Sequence, residues 1–191
     1  MTRDTTLSSA LLGPAGAIKR LAMVLGGSFL IALAAQVSVP MLPVPMTLQT
    51  LAILVVGLTF GARLGAATLI VDLAEGAMGL PVFANGAAGF PVLFGPTAGF
   101  LFGFVAMAGL VGYAAERGLA RGFIGTALTA VAASALLYVP GVLWLAAVTP
   151  LDLNGAVTAG MLPFLAGDAV KAVIAALVVA GGWSILGKRR A

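Results

Sequence analysis

Long apolar runs, separated by short polar or irregular segments, dominate the hydrophobic pattern of the chain. A membrane-spanning helix needs about 20 mostly apolar residues, and six runs approach or exceed that length. In chain order they are 21–39, 46–62, 64–83, 90–115, 122–149 and 161–187. The pattern therefore predicts an all-α integral membrane protein. Residues 18–191 would form one compact bundle of six transmembrane helices, after a mobile cytoplasmic lead-in over residues 1–17.

Basic residues lie on one side of this predicted arrangement. The predicted outer segments, about 37–46, 80–96 and 150–160, contain no Lys or Arg. Because an inserted chain keeps its positive loops in the cytoplasm, the asymmetry predicts that both termini are cytoplasmic. Nine of the ten basic residues then lie inside: Arg3, Lys19, Arg20, Arg63, Arg117, Arg121, Lys188, Arg189 and Arg190.

Composition supports the membrane class and excludes several functions. The 191 residues are 61% hydrophobic and 8% charged, whereas soluble domains carry about 25% charged residues. The chain has no His and no Cys, which excludes Cys/His zinc sites and triads that need either residue. It also lacks a GxxxxGK[ST] loop, so it cannot hydrolyse ATP alone by that route. We expect no enzymatic activity, no cofactor and no nucleic-acid partner.

Two predicted outer segments are apolar yet irregular. Residues 39–45 hold three prolines and residues 79–97 are rich in Gly and Pro, so neither segment should form a continuous helix. Irregular backbone at membrane depth is tolerated where protein covers it or where it lines a cavity. The segments are either plain extracellular turns or lids over an outward-facing pocket. Their apolar side chains favour lids: Val82, Phe83, Phe90, Val92, Leu93 and Phe94.

Four charged residues lie inside the predicted spans. Asp72 and Glu75 are three residues apart on the third span, and Asp168 and Lys171 have the same spacing on the sixth. A charge at the centre of a spanning helix costs about 3 kcal/mol on insertion scales, so each is a functional-site hypothesis. All four are predicted in the outer half, converging at the depth of the irregular loops.

Both pairs also have structural interpretations. Asp168 and Lys171 are alternatively an ion pair that fixes helix packing, and Asp72 and Glu75 alternatively face the headgroup region. Small residues on the first span, Ala22, Gly26 and Ala34, have the spacing that lets helices approach closely. They indicate either packing within the bundle or a surface for a partner or for self-association.

Four segments together resemble the BioY family, the biotin-binding S components of energy-coupling factor transporters. They are VPMLPVPMTLQTLAILVVGLTFGARLGA (39–66), LAEGAMGLPVFANGAAG (73–89), GPTAGFLFGF (95–104) and PFLAGDAVK (163–171). The resemblance covers roughly residues 20–187 in the family's order. The family often has a second glycine and a tyrosine where this chain has Ala98 and Phe100.

The resemblance implies a six-helix domain in the bacterial inner (plasma) membrane, with a biotin site under the first loop and the loop after helix three. It also implies a membrane T component and a pair of ABC-type ATPases as partners. The family's GD-x-x-K motif maps onto Gly167, Asp168 and Lys171. In biotin, the ureido ring presents two N–H donors and a carbonyl acceptor, and the tail ends in a carboxylate. Asp168 would accept from the ureido N–H groups, and Lys171 would donate to the ureido oxygen or to the tail.

The remaining predicted site residues supply amides, apolar walls and one further acid. Asn85 and Gln49 would add amide groups, while Phe83, Phe90 and Phe94 would hold the thiophane ring and chain. The role of Glu75 stays open, because it would repel a nearby biotin carboxylate. The predicted binding residues are thus Asp168, Lys171, Asn85, Gln49, Glu75, Phe83, Phe90 and Phe94.

Biotin capture and uptake is the leading hypothesis, and two other classes remain as alternatives. One is a self-sufficient, ion-coupled secondary transporter of a small polar metabolite, which would use Asp72, Glu75 and Asp168 as proton sites. The other is a membrane enzyme that needs clustered acids with a metal, for which only Asp72 and Glu75 are available.

Overall fold

The computed structural model describes residues 6–12 and 16–190, and most of them are helical. Three short 3₁₀ turns, at Ala84–Gly86, Phe90–Phe94 and Leu162–Phe164, interrupt the connections. The helices are α1 (Leu7–Leu12), α2 (Ala17–Gln36), α3 (Gln49–Phe60), α4 (Ala62–Ala77), α5 (Ala98–Glu116), α6 (Gly122–Val148), α7 (Leu153–Gly160) and α8 (Leu165–Arg190).

The predicted class of apolar helical membrane protein is confirmed, whereas the number of spans stays a prediction. Among the described residues, α2, α5, α6 and the region Leu153–Ile185 are long and apolar enough to cross a membrane. The run 46–62 contains only the 12-residue α3, and 64–83 overlaps the 16-residue α4. Both helices are short because Gly61, at φ +88°, separates them, and because irregular backbone flanks their other ends.

Several predicted boundaries were wrong at the outer ends of the helices. The run 90–115 is not one helix, since Pro91 and Pro96 leave a 3₁₀ turn there and α5 begins at Ala98. Similarly, α8 begins only after the turn around Pro163. The helix α7 was not predicted. Its N-cap is Asp152, whose side chain accepts a hydrogen bond from the Gly155 N–H at 2.8 Å, a signal visible in the sequence.

Part of the predicted mobile lead-in forms structure. The helix α1 packs against α3 and α8, and Thr6 and Leu7 are buried. A Cβ added to Gly182 would lie 2.7 Å from the Leu7 side chain, so the leucine fills the space that this glycine leaves. Apolar burial therefore holds this segment against the bundle. Residues 1–5 and 13–15 lie outside the described part of the chain.

Close backbone contacts place α5 against α3, α4 and α6. A Cβ at Gly57 would lie 2.7 Å from the carbonyl oxygen of Ala108, and one at Gly112 would lie 2.4 Å from the backbone nitrogen of Ala62. The Glu116 carboxylate also accepts a hydrogen bond from the Ala62 N–H at 2.9 Å. These contacts fix the α3–α4 turn against the end of α5.

The outer segments fold into two irregular structures. The proline-rich hairpin (residues 38–47) pairs β1 (Ser38–Val39) with β2 (Met46–Thr47) in antiparallel register, which confirms the non-helical prediction. The glycine-rich segment (residues 78–97) folds back on α4, where the Gly89 N–H donates to the Gly76 carbonyl at 2.7 Å. Gly76 also packs against the Phe83 ring, which leaves no room for a Cβ.

Candidate functional site

A cavity of about 240 Å³ lies among α3, α5, α6 and α8, next to the two outer segments. One water occupies about 30 Å³ in the liquid, so the space suits a small organic molecule better than a single ion. Its walls are mostly apolar. The lining residues are Val44, Pro45, Thr47, Gln49, Thr50, Phe83, Ala84, Ala87, Val92, Thr97, Phe100, Leu101, Phe104, Leu137, Tyr138, Phe164, Asp168 and Lys171.

The Asp168 carboxylate is the centre of the polar part of this cavity. Its Oδ1 accepts hydrogen bonds from Thr50 Oγ1 and Lys171 Nζ, both at 3.0 Å. Its Oδ2 accepts one from the Tyr138 hydroxyl at 2.6 Å. Asp168 and Lys171 are only 5% and 6% exposed, so the ion pair is almost removed from solvent.

Hydrogen-bonding capacity remains in this cluster for a ligand. An ionised carboxylate offers about four acceptor positions, and the three donors to Asp168 leave about one open. An ammonium carries three donors, and the structure gives Lys171 Nζ a partner in Asp168. The pair can therefore present both an acceptor and donors to a molecule in the cavity. Since both residues lie on one face of α8, the pair forms within the helix, not between helices.

Gln49 contributes a buried amide donor to the same cavity. Its side chain is 3% exposed, and its Oε1 accepts a hydrogen bond from Thr47 Oγ1 at 3.3 Å. Its Nε2 has no partner among the described residues. Leaving a buried donor unpaired costs about 1–3 kcal/mol, so this amide is suited to a ligand acceptor.

Four of the predicted site residues line the cavity: Asp168, Lys171, Gln49 and Phe83. The structure places Phe90 and Phe94 elsewhere. Each is 61% exposed, and their ring centroids lie 5.2 Å apart in a tilted stack. Val92 of the same 3₁₀ turn lines the cavity, so it is the exposed orientation of the two rings, not the position of the turn, that keeps them out of the described lining.

Asn85 lies at the outer end of the site, outside this cavity. It contributes to a second, neighbouring space lined by Pro40, Met41, Leu42, Pro43 and Pro45. Its Oδ1 accepts a hydrogen bond from Ser38 Oγ at 2.5 Å, which joins the glycine-rich segment to the proline-rich hairpin. Pro45 lines both spaces. Asn85 therefore lies next to the end of the cavity that the proline-rich hairpin covers, here called the mouth.

The two intramembrane charge pairs do not meet in one cluster, contrary to expectation. Glu75 accepts a hydrogen bond from the Ser28 hydroxyl on α2, and Asp72 is 1% exposed. Neither belongs to the described lining of the cavity. The face of α4 that carries both acids is turned towards α2 and away from the cavity.

Sequence reasoning missed several lining residues. Tyr138 lies in an uncharged apolar run, where its hydroxyl was the available signal, since a buried tyrosine hydroxyl usually finds a partner. Thr50 follows directly after the predicted Gln49. Phe100, Phe104 and Phe164 form apolar walls and look like ordinary core residues in the sequence.

The fold and the cavity define a helical membrane protein with a small, partly polar cavity between its helices. The BioY family profile matches residues 3–188, and the chain belongs to the BioY family.

Relatives and a solved structure agree with this assignment. The chain is 38% identical to the biotin transporter BioY of Thermotoga maritima over 149 residues, 78% of this chain and 86% of that protein. It is 35% identical to the biotin transporter BioY of Rhizobium etli over 149 residues, 74% of this chain and 79% of that protein. The crystal structure of an S-component for biotin from an ECF-type ABC transporter has the same fold. The superposition of the two structures has a TM-score of 0.77 at 20% sequence identity, and it covers 87% of this chain and 93% of the other.

Proposed function

We propose that this protein captures biotin at the outer side of the membrane and acts as the S component of an ECF-type ABC transporter. The observation that carries the proposal is the Asp168 cluster, which places acceptor and donor groups at the polar part of an otherwise apolar cavity. The names of the family and of its relatives favour biotin as the ligand.

The groups of biotin match those of the cavity. Asp168 would accept a ureido N–H, while the unpartnered Gln49 Nε2 and the ammonium of Lys171 would donate to the ureido oxygen. Phe100, Phe104 and neighbouring apolar side chains would surround the thiophane ring. Leaving these buried polar groups unpaired costs about 1–3 kcal/mol each, which discriminates against analogues that lack the ureido group.

The two outer segments would act as lids over this site. The proline-rich hairpin and the glycine-rich segment both supply lining residues, and the Ser38–Asn85 hydrogen bond joins them at the mouth. Opening this contact would admit the ligand. Asn85, carried by the lid, would then reach a polar end of biotin. We therefore keep Asn85 in the proposed site, although it lies outside the cavity.

For the topology we propose six spans, formed by α2, α3, α4, α5, α6 and α8, with both termini in the cytoplasm of a bacterial cell. The support is the absence of Lys and Arg from the sequence segments 37–46, 80–96 and 150–160. In this orientation the cavity opens outwards, under the two lids.

Partner subunits would supply the energy for transport. The sequence has no GxxxxGK[ST] loop, so ATP hydrolysis by that route requires separate ATPases. A pair of ABC-type ATPases and a membrane T component would complete the transporter. The S-component fold supports this arrangement. Self-association through α2 stays a prediction, consistent with the exposure of Ala22 and Gly26.

The ion-coupled alternative would use Asp72, Glu75 and Asp168 as proton sites. The structure separates the first two from the cavity that contains the third. The polar and apolar lining of that cavity supports biotin capture instead.

Calorimetric titration of the purified full-length protein with biotin tests the binding step. We expect saturable binding to one site, and Asp168→Asn, which keeps the shape but removes the charge, should weaken it at least tenfold, about 1.4 kcal/mol. Wild-type protein that shows no saturable binding would contradict the proposal.

Uptake by proteoliposomes tests the transport step. Biotin accumulation should require the T component, the ATPases and ATP. Accumulation without them, driven by a pH gradient, would instead support the ion-coupled alternative.

A further inference from the structure

A second polar site lies between α4 and α2, outside the ligand cavity. Its members are Asp72 and Glu75 on successive turns of α4, here called the carboxyl pair, and Ser28 on α2. Asp72 is 1% exposed and Ser28 is fully buried. The Ser28 hydroxyl donates to Glu75 Oε2 and also interacts with the Asp72 carboxyl.

One polar atom in this site lacks a partner. Asp72 Oδ1 is buried and accepts no hydrogen bond from any described residue. The Ser28 hydroxyl carries a single proton, so it can donate to only one of the two carboxyl groups at a time. The carboxyl group that receives no hydrogen bond from Ser28 can form one as a donor only if it is itself protonated.

No basic side chain neutralises the carboxyl pair in the described structure, where the one recorded ion pair is Lys171–Asp168. On α4 itself, Arg63 is the second residue of the helix, nine residues before Asp72. On α2, Lys19 and Arg20 lie at least two turns before Ser28.

The other elements packed against α4 are equally poor in charge. The helix α3 and the turn Phe90–Phe94 have no ionisable residue, and α5 contributes Tyr113, Glu116 and no basic group. Glu116 caps the start of α4, at the end opposite the carboxyl pair. Two neighbouring anions, with Asp72 buried and Glu75 partly buried, would therefore stand without a counter-charge.

We propose that the carboxyl pair and Ser28 bind one proton, held between Asp72 and Glu75 as a site separate from the ligand cavity. Two carboxyl groups that share a buried site do not both ionise readily, because like charges disfavour each other. A shared proton leaves one negative charge and supplies the hydrogen that Asp72 Oδ1 lacks. Ser28 then links the protonated pair to α2.

A proton fits this site better than a metal cation does. Ca²⁺ takes about six to eight oxygen ligands, and this site offers two carboxyl groups and one hydroxyl. Among the described residues, no group of three or more acidic, His or Cys side chains could hold a metal.

Proton binding would strengthen the contact between α2 and α4. The helix α2 is less buried than α5, and besides α4 it packs on α3 and on the turn Ala84–Gly86, so the carboxyl pair adds a polar contact to this attachment. The carboxyl pair also lies where the glycine-rich segment begins, since the Leu80 N–H donates to the Glu75 carbonyl at 3.1 Å. Loss of the proton would leave two carboxylates that repel each other beside both the α2–α4 contact and the start of the glycine-rich segment.

Infrared spectroscopy of the full-length protein in lipid nanodiscs tests the proposal directly. At neutral pH the wild type should show a protonated-carboxyl C=O band that shifts in D₂O. The double variant Asp72→Asn/Glu75→Gln should lose this band. The control Asp152→Asn, at an exposed carboxylate outside the site, should keep it. A spectrum in which wild type and double variant have the same carboxyl bands would overturn the proposal.

Thermal unfolding provides a second measurement. The wild-type midpoint should fall as pH rises from about 6 to about 9, since deprotonation leaves two like charges side by side, with Asp72 buried and Glu75 partly buried. Asp72→Asn imitates a protonated Asp72, so its midpoint should lose most of that dependence. If the wild-type midpoint depends on Na⁺ at constant pH and not on pH itself, a metal cation occupies the site and the proposal fails.

Discussion

The hydroxyl of Tyr138 donates a hydrogen bond to Oδ2 of Asp168 at 2.6 Å and so ties α6 to α8 inside the cavity. Thr50 makes the equivalent connection from α3 to Oδ1 of the same carboxylate. The polar part of the proposed biotin site is therefore also a junction of three helices. Substitutions at this junction should affect both ligand binding and packing, and the two effects can be measured separately.

Tyr138→Phe should weaken biotin binding by about 2 kcal/mol, or roughly 30-fold, because hydrogen bonds to charged groups contribute about 1.5–3 kcal/mol. Phenylalanine keeps the ring and removes only the hydroxyl that orients Asp168. Calorimetric titration measures the change.

The chain supplies a matched control in its other tyrosine. Tyr113 is 48% exposed, and Arg117 lies 4.7 Å from its ring centroid, a contact that phenylalanine can retain. Tyr113→Phe should leave biotin affinity unchanged. Equal affinities for the wild type and Tyr138→Phe would show that the hydroxyl does not support the site.

The sequence identified Asp168 and Lys171 because a charge stands out in an apolar span, and the structure places both in the cavity. The same reasoning did not identify Tyr138 and Thr50. Both donate to Asp168, which lies 30 and 118 residues away from them along the chain. A partner at such a separation depends on how the helices rotate against one another. A single sequence carries little information on that rotation.

Lys171→Met should destabilise the protein strongly, by about 3–5 kcal/mol, because it leaves the Asp168 charge buried without its counter-ion. The double variant Asp168→Asn/Lys171→Met should recover much of that loss, since removing a buried pair together is often close to neutral. Thermal unfolding followed by tryptophan fluorescence measures both.

Arg121→Met serves as the control, because Arg121 is an exposed basic residue at the start of α6 and its loss should change the midpoint little. The double variant should still bind biotin poorly, as it lacks both charged groups. A double variant less stable than Lys171→Met would contradict the ion-pair argument.

Gln49→Leu should lower biotin affinity by about 1–3 kcal/mol and change the stability of the ligand-free protein much less. The substitution removes a buried donor that has no partner among the described residues and one long hydrogen bond, 3.3 Å from Thr47 Oγ1, so the ligand-free state loses little. The bound state loses the proposed hydrogen bond to the ureido oxygen. Titration and thermal unfolding together separate these effects.

Gln36→Leu offers the opposite comparison. Gln36 Nε2 lies within hydrogen-bond distance of the carbonyl oxygens of Ala32, Pro81 and Phe83, so its loss should reduce stability. If Gln49→Leu destabilised the ligand-free protein as much as Gln36→Leu does, Gln49 would have a structural role instead.

In the outer loops, the sequence pattern predicted the backbone conformation but not which aromatic side chains are buried. Pro-rich residues 39–45 were predicted to be non-helical, and the hairpin confirms this, because proline restricts the backbone locally. The aromatic residues were harder to place. Phe83 is 2% exposed beside Gly76, whereas Phe90 and Phe94 are largely exposed. All three belong to similar apolar segments, and only the fold of the glycine-rich segment separates the buried ring from the other two.

Gly112→Ala should destabilise the bundle by about 1–3 kcal/mol, the usual cost of overpacking a well-packed core. The added Cβ would lie 2.4 Å from the Ala62 nitrogen and the Gly61 carbonyl carbon, which are backbone atoms that cannot rotate away. Thermal unfolding in detergent measures the loss. Gly26→Ala is the matched control, because no described atom outside its own helix backbone and chain neighbours lies within 4 Å of a Cβ there, and alanine favours helix. Its midpoint should equal or exceed that of the wild type, so equal losses in the two variants would show that the α4–α5 contact is looser than this geometry requires.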